Sequence, residues 1–386
     1  MNADNLSALA VGIGVVMLIA GFGVYFNSPE LNKAASGQQK SFVPAAIVED
    51  NGTVTRVQID KSQLKLAPEL TKISGYINSE PITLADLRGK VVLVDFWTYS
   101  CINCIRTIPY LNAWYEKYAD DGLVIVGVHT PEFEFEKDYN NVKGAVERFG
   151  IDYPIAQDNE KQTWNAYENR YWPRKYLIDS EGYIRYDHIG EGAYAETEKV
   201  IQSLLSEHTE HSGGVNFTID QTISNPESTQ NVNFGRINTP ELYFGYQYAR
   251  EPLGNSEGYK PDQIVKYTIP DDTNIVPNRI YLAGEWKNNA DHMELQSEVG
   301  HIVLSYSAKA VNIVAGGSGK MHILEEDNNN LHPDDSSRGT DVSQDSTVKI
   351  NGQRLYNVVM HEEYGNHQIA IDVVGRGFQI YTFTFG

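Results

Sequence analysis

Cysteine is almost absent from this sequence: Cys101 and Cys104 are the only two in 386 residues. With no third thiol, neither a disulfide scaffold nor a four-cysteine zinc site can form, and two thiolates alone leave zinc half-ligated. Basic charge is also short, with 31 lysines and arginines against 51 acidic residues and a formal charge of -20. A surface that acidic repels phosphate backbones, so nucleic acid is not an expected partner. The 10 histidines show no metal-ligand spacing, and no metal site is expected. Long apolar runs are missing except at residues 6–26, which carry no charge.

That run is long enough to cross a bilayer, which takes about 20 apolar residues. A cleaved leader has a basic start and an apolar stretch of roughly 7–15 residues. Neither feature is present here, so residues 1–27 are read as an uncleaved anchor. Lys33 and Lys40 follow the run and nothing basic precedes it, which by charge alone weighs weakly toward a cytoplasmic body. Residues 28–65 are a polar spacer followed by a hairpin around Asn51-Gly52.

Residues 66–208 alternate buried-type strands with helices: a strand at 91–96, a helix at 101–118 with Ile105, Ile108, Leu111 and Tyr115 as its apolar face, and a strand at 123–128. An acidic loop at 131–138, a helix at 139–149, paired strands at 176–179 and 183–188 and a helix at 196–205 complete an α/β unit. Residues 209–230 read as a linker. From 231 to 386 the helical period vanishes, and short strands separated by Gly, Asn, Asp and Pro clusters predict an all-β sandwich. This unit has no cysteine and no nucleophile motif, so it is expected to fold separately and carry no catalytic residue. Its Trp286, Tyr243, Tyr246 and Tyr248 suit either sugar stacking or the core.

The dithiol sits where the apolar strand gives way to a helix. Two thiols two residues apart can close a small disulfide and reopen it. Cys101 falls at the first turn, where unpaired N–H groups favour a thiolate, so it is the candidate attacking thiol. Cys104, one turn in, is the candidate resolving thiol. Asp95 lies mid-strand between Val94 and Phe96. A carboxylate there is costly unless it has a task, and a raised pKa suits it to take the Cys104 proton. Glu132, after the next strand, is placed to tune the thiol, unless its loop is simply a solvated acidic one.

The segments Val94-Asp95-Phe96-Trp97, Cys101-Ile102-Asn103-Cys104, Pro109 and Trp172-Pro173 resemble the thioredoxin superfamily. Gly127-Val128-His129-Thr130-Pro131-Glu132, Tyr153-Pro154, Asn169-Arg170-Tyr171 and, in the tail, Asn238-Thr239-Pro240-Glu241 and Leu282-Ala283-Gly284-Glu285-Trp286 narrow the likeness to its DipZ-type, TlpA-like branch. The resemblance implies a thioredoxin-like α/β domain, then a jelly-roll-like β-sandwich similar to carbohydrate-binding modules. It implies a cis Pro173, with Trp97, Trp172 and Pro173 against the substrate chain. No cofactor beyond the Cys101–Cys104 disulfide is implied. The branch's multi-span electron-importing domain is missing from this sequence, so the expectation is either a separate membrane electron donor or work in the oxidising direction. The implied activity is exchange of disulfides with protein substrates outside the cytoplasm, with a glycan or protein ligand for the tail. The rival readings are a thiol peroxidase and a non-enzymatic surface binding module.

Overall fold

The computed structural model describes residues 47–50, 53–56, 61–211, 219–227, 229–269, 275–325 and 337–386. The expected anchor at 6–26 and most of the spacer lie outside the described residues. Among the described residues no helix is long and apolar enough to cross a membrane. The hairpin expected at Asn51-Gly52 is present, with β1 (Ile47–Asp50) paired antiparallel to β2 (Thr53–Arg56).

The α/β unit contains β3 (Gly75–Ile77), β4 (Val91–Trp97), α1 (Ile102–Tyr118), β5 (Leu123–His129), α2 (Tyr139–Arg148) and β6 (Ile155–Gln157). It continues with α3 (Gln162–Ala166), β7 (Arg174–Ile178), β8 (Ile184–Ile189) and α4 (Tyr194–His211). Its six-stranded sheet runs β3-β6-β5-β4-β7-β8. The β4–β5 and β5–β6 pairs are parallel, while β4–β7 and β7–β8 are antiparallel. Every residue of β4 is buried, as its unbroken apolar run requires of a strand covered on both faces. In α1 the inward face is Cys104, Ile108, Leu111, Trp114 and Tyr118, which recur every three or four residues. Ile105 and Tyr115, expected on that face, are only half-buried. Helix α4 runs beyond residue 205. The stretch after it, read as a linker, lies along the helices: Ile219 is buried, and Glu198 accepts from the Ser224 amide and hydroxyl, both at 2.7 Å.

The C-terminal unit contains β9 (Leu242–Tyr243), β10 (Ile264–Tyr267), β11 (Tyr281–Asn288), β12 (Met293–Leu295) and β13 (Val299–Gly317). After these come β14 (Lys320–Glu325), β15 (Thr347–Lys349), β16 (Arg354–Val374) and β17 (Phe378–Phe385). It is β-rich as expected, but its strands form one continuous nine-stranded sheet rather than two separate ones. The separate short strands expected at 302–306 and 310–314 are joined in β13, where register shifts at Ala308/Ala310 and Val311/Asn312 bend the strand without ending it. A strand so bent serves both layers: one half pairs with β11 and the other with β17. Trp286 and Tyr243 are packed inside and offer no face to a sugar ring.

Each unit has a buried core of its own, and a third buried cluster crosses from one to the other. Tyr243, Val314 and Tyr381 of the β-rich unit join the same buried cluster as Trp97, Cys104 and Leu111. Tyr381 packs against both Phe133 and Phe135 of the acidic loop, which stack on each other at 5.6 Å, at centroid distances of 5.1 and 4.7 Å. The tail expected to fold separately thus packs its last strand against the α/β unit, where those aromatic rings leave water together. Tyr381→Ala should therefore cost about 3 kcal/mol, the usual loss for deleting a buried aromatic. In urea, tryptophan fluorescence of the α/β unit and near-ultraviolet circular dichroism of the β-rich unit should shift to the same lower midpoint.

Candidate active site

Strand β4 delivers the chain to the site, and Thr98, Tyr99 and Ser100 carry it across to Cys101. Cys101 is the N-cap of α1, with extended backbone at φ -78 and ψ 115. Its sulfur accepts a hydrogen bond from the Cys104 amide at 3.3 Å. The two sulfurs lie 2.7 Å apart as free thiols. An amide donor meets the Cys101 sulfur at the helix N-terminus, and Cys101 is half-exposed and reachable. Cys104 is fully buried. Burial, then its hydrogen bond to Cys101 and the charges of Cys101 and Asp95, raise its pKa well above the ordinary range.

Asp95 is 2% exposed, and its Oδ1 has no hydrogen-bond partner. Burial pushes its pKa up to about 7, against a smaller opposing pull from Lys175. Lys175 was not singled out from sequence. It stands directly across from Asp95 in the β4–β7 pair, is fully buried, and donates from Nζ to the Gly190 carbonyl at 3.2 Å. Burial lowers its pKa, while Asp95, Cys104 and Glu191 pull it back up. The sequence signal was a lysine inside the buried-type run of β7, one residue after Arg174. Only the strand register puts it opposite Asp95.

The Trp172-Pro173 peptide is cis. Pro173 is buried and Trp172 half-buried, and Trp172 packs on the apolar cluster that Cys101 also touches. The Trp172 indole N–H donates to the Thr130 carbonyl at 3.0 Å, and its ring lies 4.3 Å from that of Trp164.

Two expected roles change. Trp97, expected against the substrate, is 1% exposed and meets His129 edge-on at 5.1 Å. It is still in β4, three residues short of Cys101's turn, so its side chain belongs to the core. His129 is buried too, with its pKa pushed down to about 3 by burial, and so stays neutral.

Glu132 does not touch the dithiol. It lies at the seam between the units, where the Tyr243 hydroxyl is 2.6 Å from its Oε1 and 2.8 Å from Glu241 Oε2. A single hydroxyl proton cannot serve both carboxylates, so one carboxyl keeps its own proton. Burial, then Glu241 and Glu136, push the Glu132 pKa up to about 8. The acid beneath the dithiol is Glu136, which sequence reasoning missed. It is fully buried and accepts from Ser100 Oγ at 2.6 Å and from the Glu132 and Phe133 amides at 2.6 and 3.0 Å. Phe133 and Phe135, pinned by Tyr381, turn the short 3-10 segment Glu134–Lys137 so that Glu136 faces Ser100. No sequence pattern could give that orientation without the seam.

A family model described as "Thioredoxin like C-terminal domain" matches residues 239–386, and one described as "AhpC/TSA family" matches residues 65–187. The chain is 35% identical over 324 residues to Protein DipZ of Mycobacterium tuberculosis, covering 83% of this chain and 43% of DipZ. It is 33% identical over 141 residues to the thiol-disulfide oxidoreductase YkuV of Bacillus subtilis, covering 36% of this chain and 94% of YkuV. With the thiol-disulfide oxidoreductase ResA of Bacillus thuringiensis it shares 27% identity over 82% of that protein. The chain thus spans less than half the length of the DipZ relatives and nearly all of the small oxidoreductase. The free dithiol at a strand-to-helix turn, the buried Asp95, the cis Pro173 and these likenesses agree: the chain belongs to the DipZ/TlpA-like branch of the thioredoxin superfamily, within the thiol–disulfide oxidoreductases.

Proposed function

We propose that this protein is a membrane-tethered thiol–disulfide oxidoreductase that exchanges disulfides with protein substrates outside the cytoplasm. The observation that carries the reading is the asymmetry of the dithiol: a reachable Cys101 sulfur held by an amide, and a buried Cys104 whose charge is disfavoured. The Cys101 thiolate attacks one sulfur of a substrate disulfide. A mixed disulfide forms, and the other substrate sulfur leaves as a thiolate and takes a proton. Asp95 accepts the Cys104 proton, and Cys104 then attacks the Cys101 sulfur. The substrate leaves with two thiols, and the two electrons it gained leave the protein with a Cys101–Cys104 disulfide. A separate membrane dithiol donor returns those electrons, and substrate chains rest beside Trp172 and Pro173.

Residues 6–26 supply the tether in this reading, and disulfide chemistry places the body where structural disulfides form. A thiol peroxidase is the second reading, favoured by the AhpC/TSA match. It would use the same two thiols on a hydroperoxide, so the rates of hydrogen peroxide and protein-disulfide consumption by one preparation separate the two.

Cys104→Ser should trap substrate proteins on Cys101 as higher-mass bands on non-reducing gels, while Cys101→Ser should trap none. Bands from the Cys101 variant alone would reverse the assignment.

The resolving step should speed up as pH rises through about 7, where Asp95 ionises. Asp95→Asn should flatten that rise and slow the step by about a hundredfold, the usual scale of general-base help. Stopped-flow decay of a preformed mixed disulfide reads both effects.

Stability carries the same signature with a definite sign. Asp95 has a folded pKa of about 7 against an ordinary 3.8, so the folded state holds its proton more tightly. Its stabilising contribution is complete below about pH 4 and is lost as pH rises through about 7. Asp95→Asn should become more stable relative to the parent across that window, read by urea denaturation at several pH values.

Protease added to intact cells should release the body from its anchored fragment. Full protection until lysis would place the body in the cytoplasm.

A further inference from the structure

Between the dithiol helix and the β-rich unit lies a cleft of about 270 Å³. One wall is Tyr99, Ile102, Ile105 and Arg148; the other includes Asp341 and Arg354. Ile102 is one of the two residues between the cysteines, so one wall of the cleft is the turn of α1 that carries the dithiol. Its polar groups are unevenly matched. Arg354 is paired with Asp341 at 2.8 Å, whereas Arg148 rests over the Phe149 ring and makes no ion pair among the described residues. Tyr99 is 2% exposed, yet its hydroxyl has no hydrogen-bond partner. A buried hydroxyl left without a partner costs free energy that a bound acceptor recovers. The cleft is therefore lined by an unpaired guanidinium and by Tyr99, whose buried hydroxyl is unpaired, and its one lining carboxylate is already engaged.

We propose that this cleft is a subsite for an acidic side chain flanking the disulfide of a peptide substrate, with Arg148 and the Tyr99 hydroxyl donating to its carboxylate. The proposal rests on the disulfide-exchange reading and names the substrate class for that site. Whole small ligands fill pockets of about 300–1,000 Å³, so this volume suits one side chain of a longer chain lying across the dithiol. The charge of -20 gives the subsite its leverage, because an acidic chain is repelled by most of this surface and attracted at Arg148. Apolar Ile102 and Ile105 exclude water from the contact, which strengthens it. The β-rich unit thus acts as one wall of the substrate groove.

The test uses the full chain and three disulfide-linked peptides that differ only in one residue beside the cysteine: Glu, Gln or Lys. The expected result is a kcat/KM for the Glu peptide about tenfold above that for Lys, the scale of one charge-assisted hydrogen bond, with Gln between them. The preference should shrink with added salt. In Arg148→Gln the Glu-to-Lys ratio, read within that variant, should fall to about one. Arg148→Lys should keep part of it, and Tyr99→Phe should lower it without abolishing it. A parent with equal kcat/KM for all three peptides overturns the subsite, as does an Arg148→Gln variant that keeps the full ratio. A parent that exchanges with none of the peptides, nor with a small neutral disulfide, overturns the disulfide-exchange reading instead.

Discussion

The packing of Tyr381 against the stacked Phe133 and Phe135 is the contact on which the arrangement of the site depends. It removes three aromatic rings from water at once and joins the last strand of the chain to the loop after β5. That loop carries Glu132 into the seam and Glu136 under Ser100. Ser100 precedes Cys101, so the position of the reactive thiol is tied, through one hydrogen bond and one aromatic cluster, to the C-terminal strand. A domain boundary drawn by composition between residues 208 and 231 therefore separates two cores that a third buried cluster joins.

Burial without full neutralisation is the second constraint. Asp95, Lys175 and Cys104 lie in one dry region, and each is pushed toward its neutral form. Removing charge from water is expensive unless it is paired, and here the pairing is partial: Lys175 attracts Asp95, while Asp95 Oδ1 keeps no hydrogen bond. Such a group sits close to its point of ionisation near neutral pH. That is the condition in which a carboxyl can take and return a proton, and it contrasts with His129, which burial holds neutral.

Much of the site was legible in the sequence because it is local. Asp95, Cys101 and Cys104 lie within ten residues of one another, where strand and helix periodicity settle who is buried and who caps the helix. The cis peptide before Pro173 followed from resemblance. The errors came from distance. Trp97 was placed against substrate by resemblance, yet it is the last residue of a strand buried throughout. Glu132 was singled out and Glu136 missed because nothing local separates two glutamates four residues apart in an acidic loop. The separate short strands expected at 302–306 and 310–314 merged, since the chain only bends between them.

The sequence by itself determined the redox chemistry: with two cysteines and no third, and with a strand leading into a helix at that point, the dithiol is the one redox centre the side chains can build. It also determined the α/β pattern, through unbroken apolar runs that only a covered sheet accommodates, and the β-rich character of the tail. Tertiary structure decided what surrounds the thiols. The pairing of Asp95 with Lys175 is set by antiparallel register between strands some 80 residues apart, and the Glu136–Ser100 contact by a seam whose other half lies near the C terminus. Local sequence specifies backbone conformation and which faces shed water. Which ionisable groups then share a dry space depends on contacts between distant segments, and that sharing sets their charge.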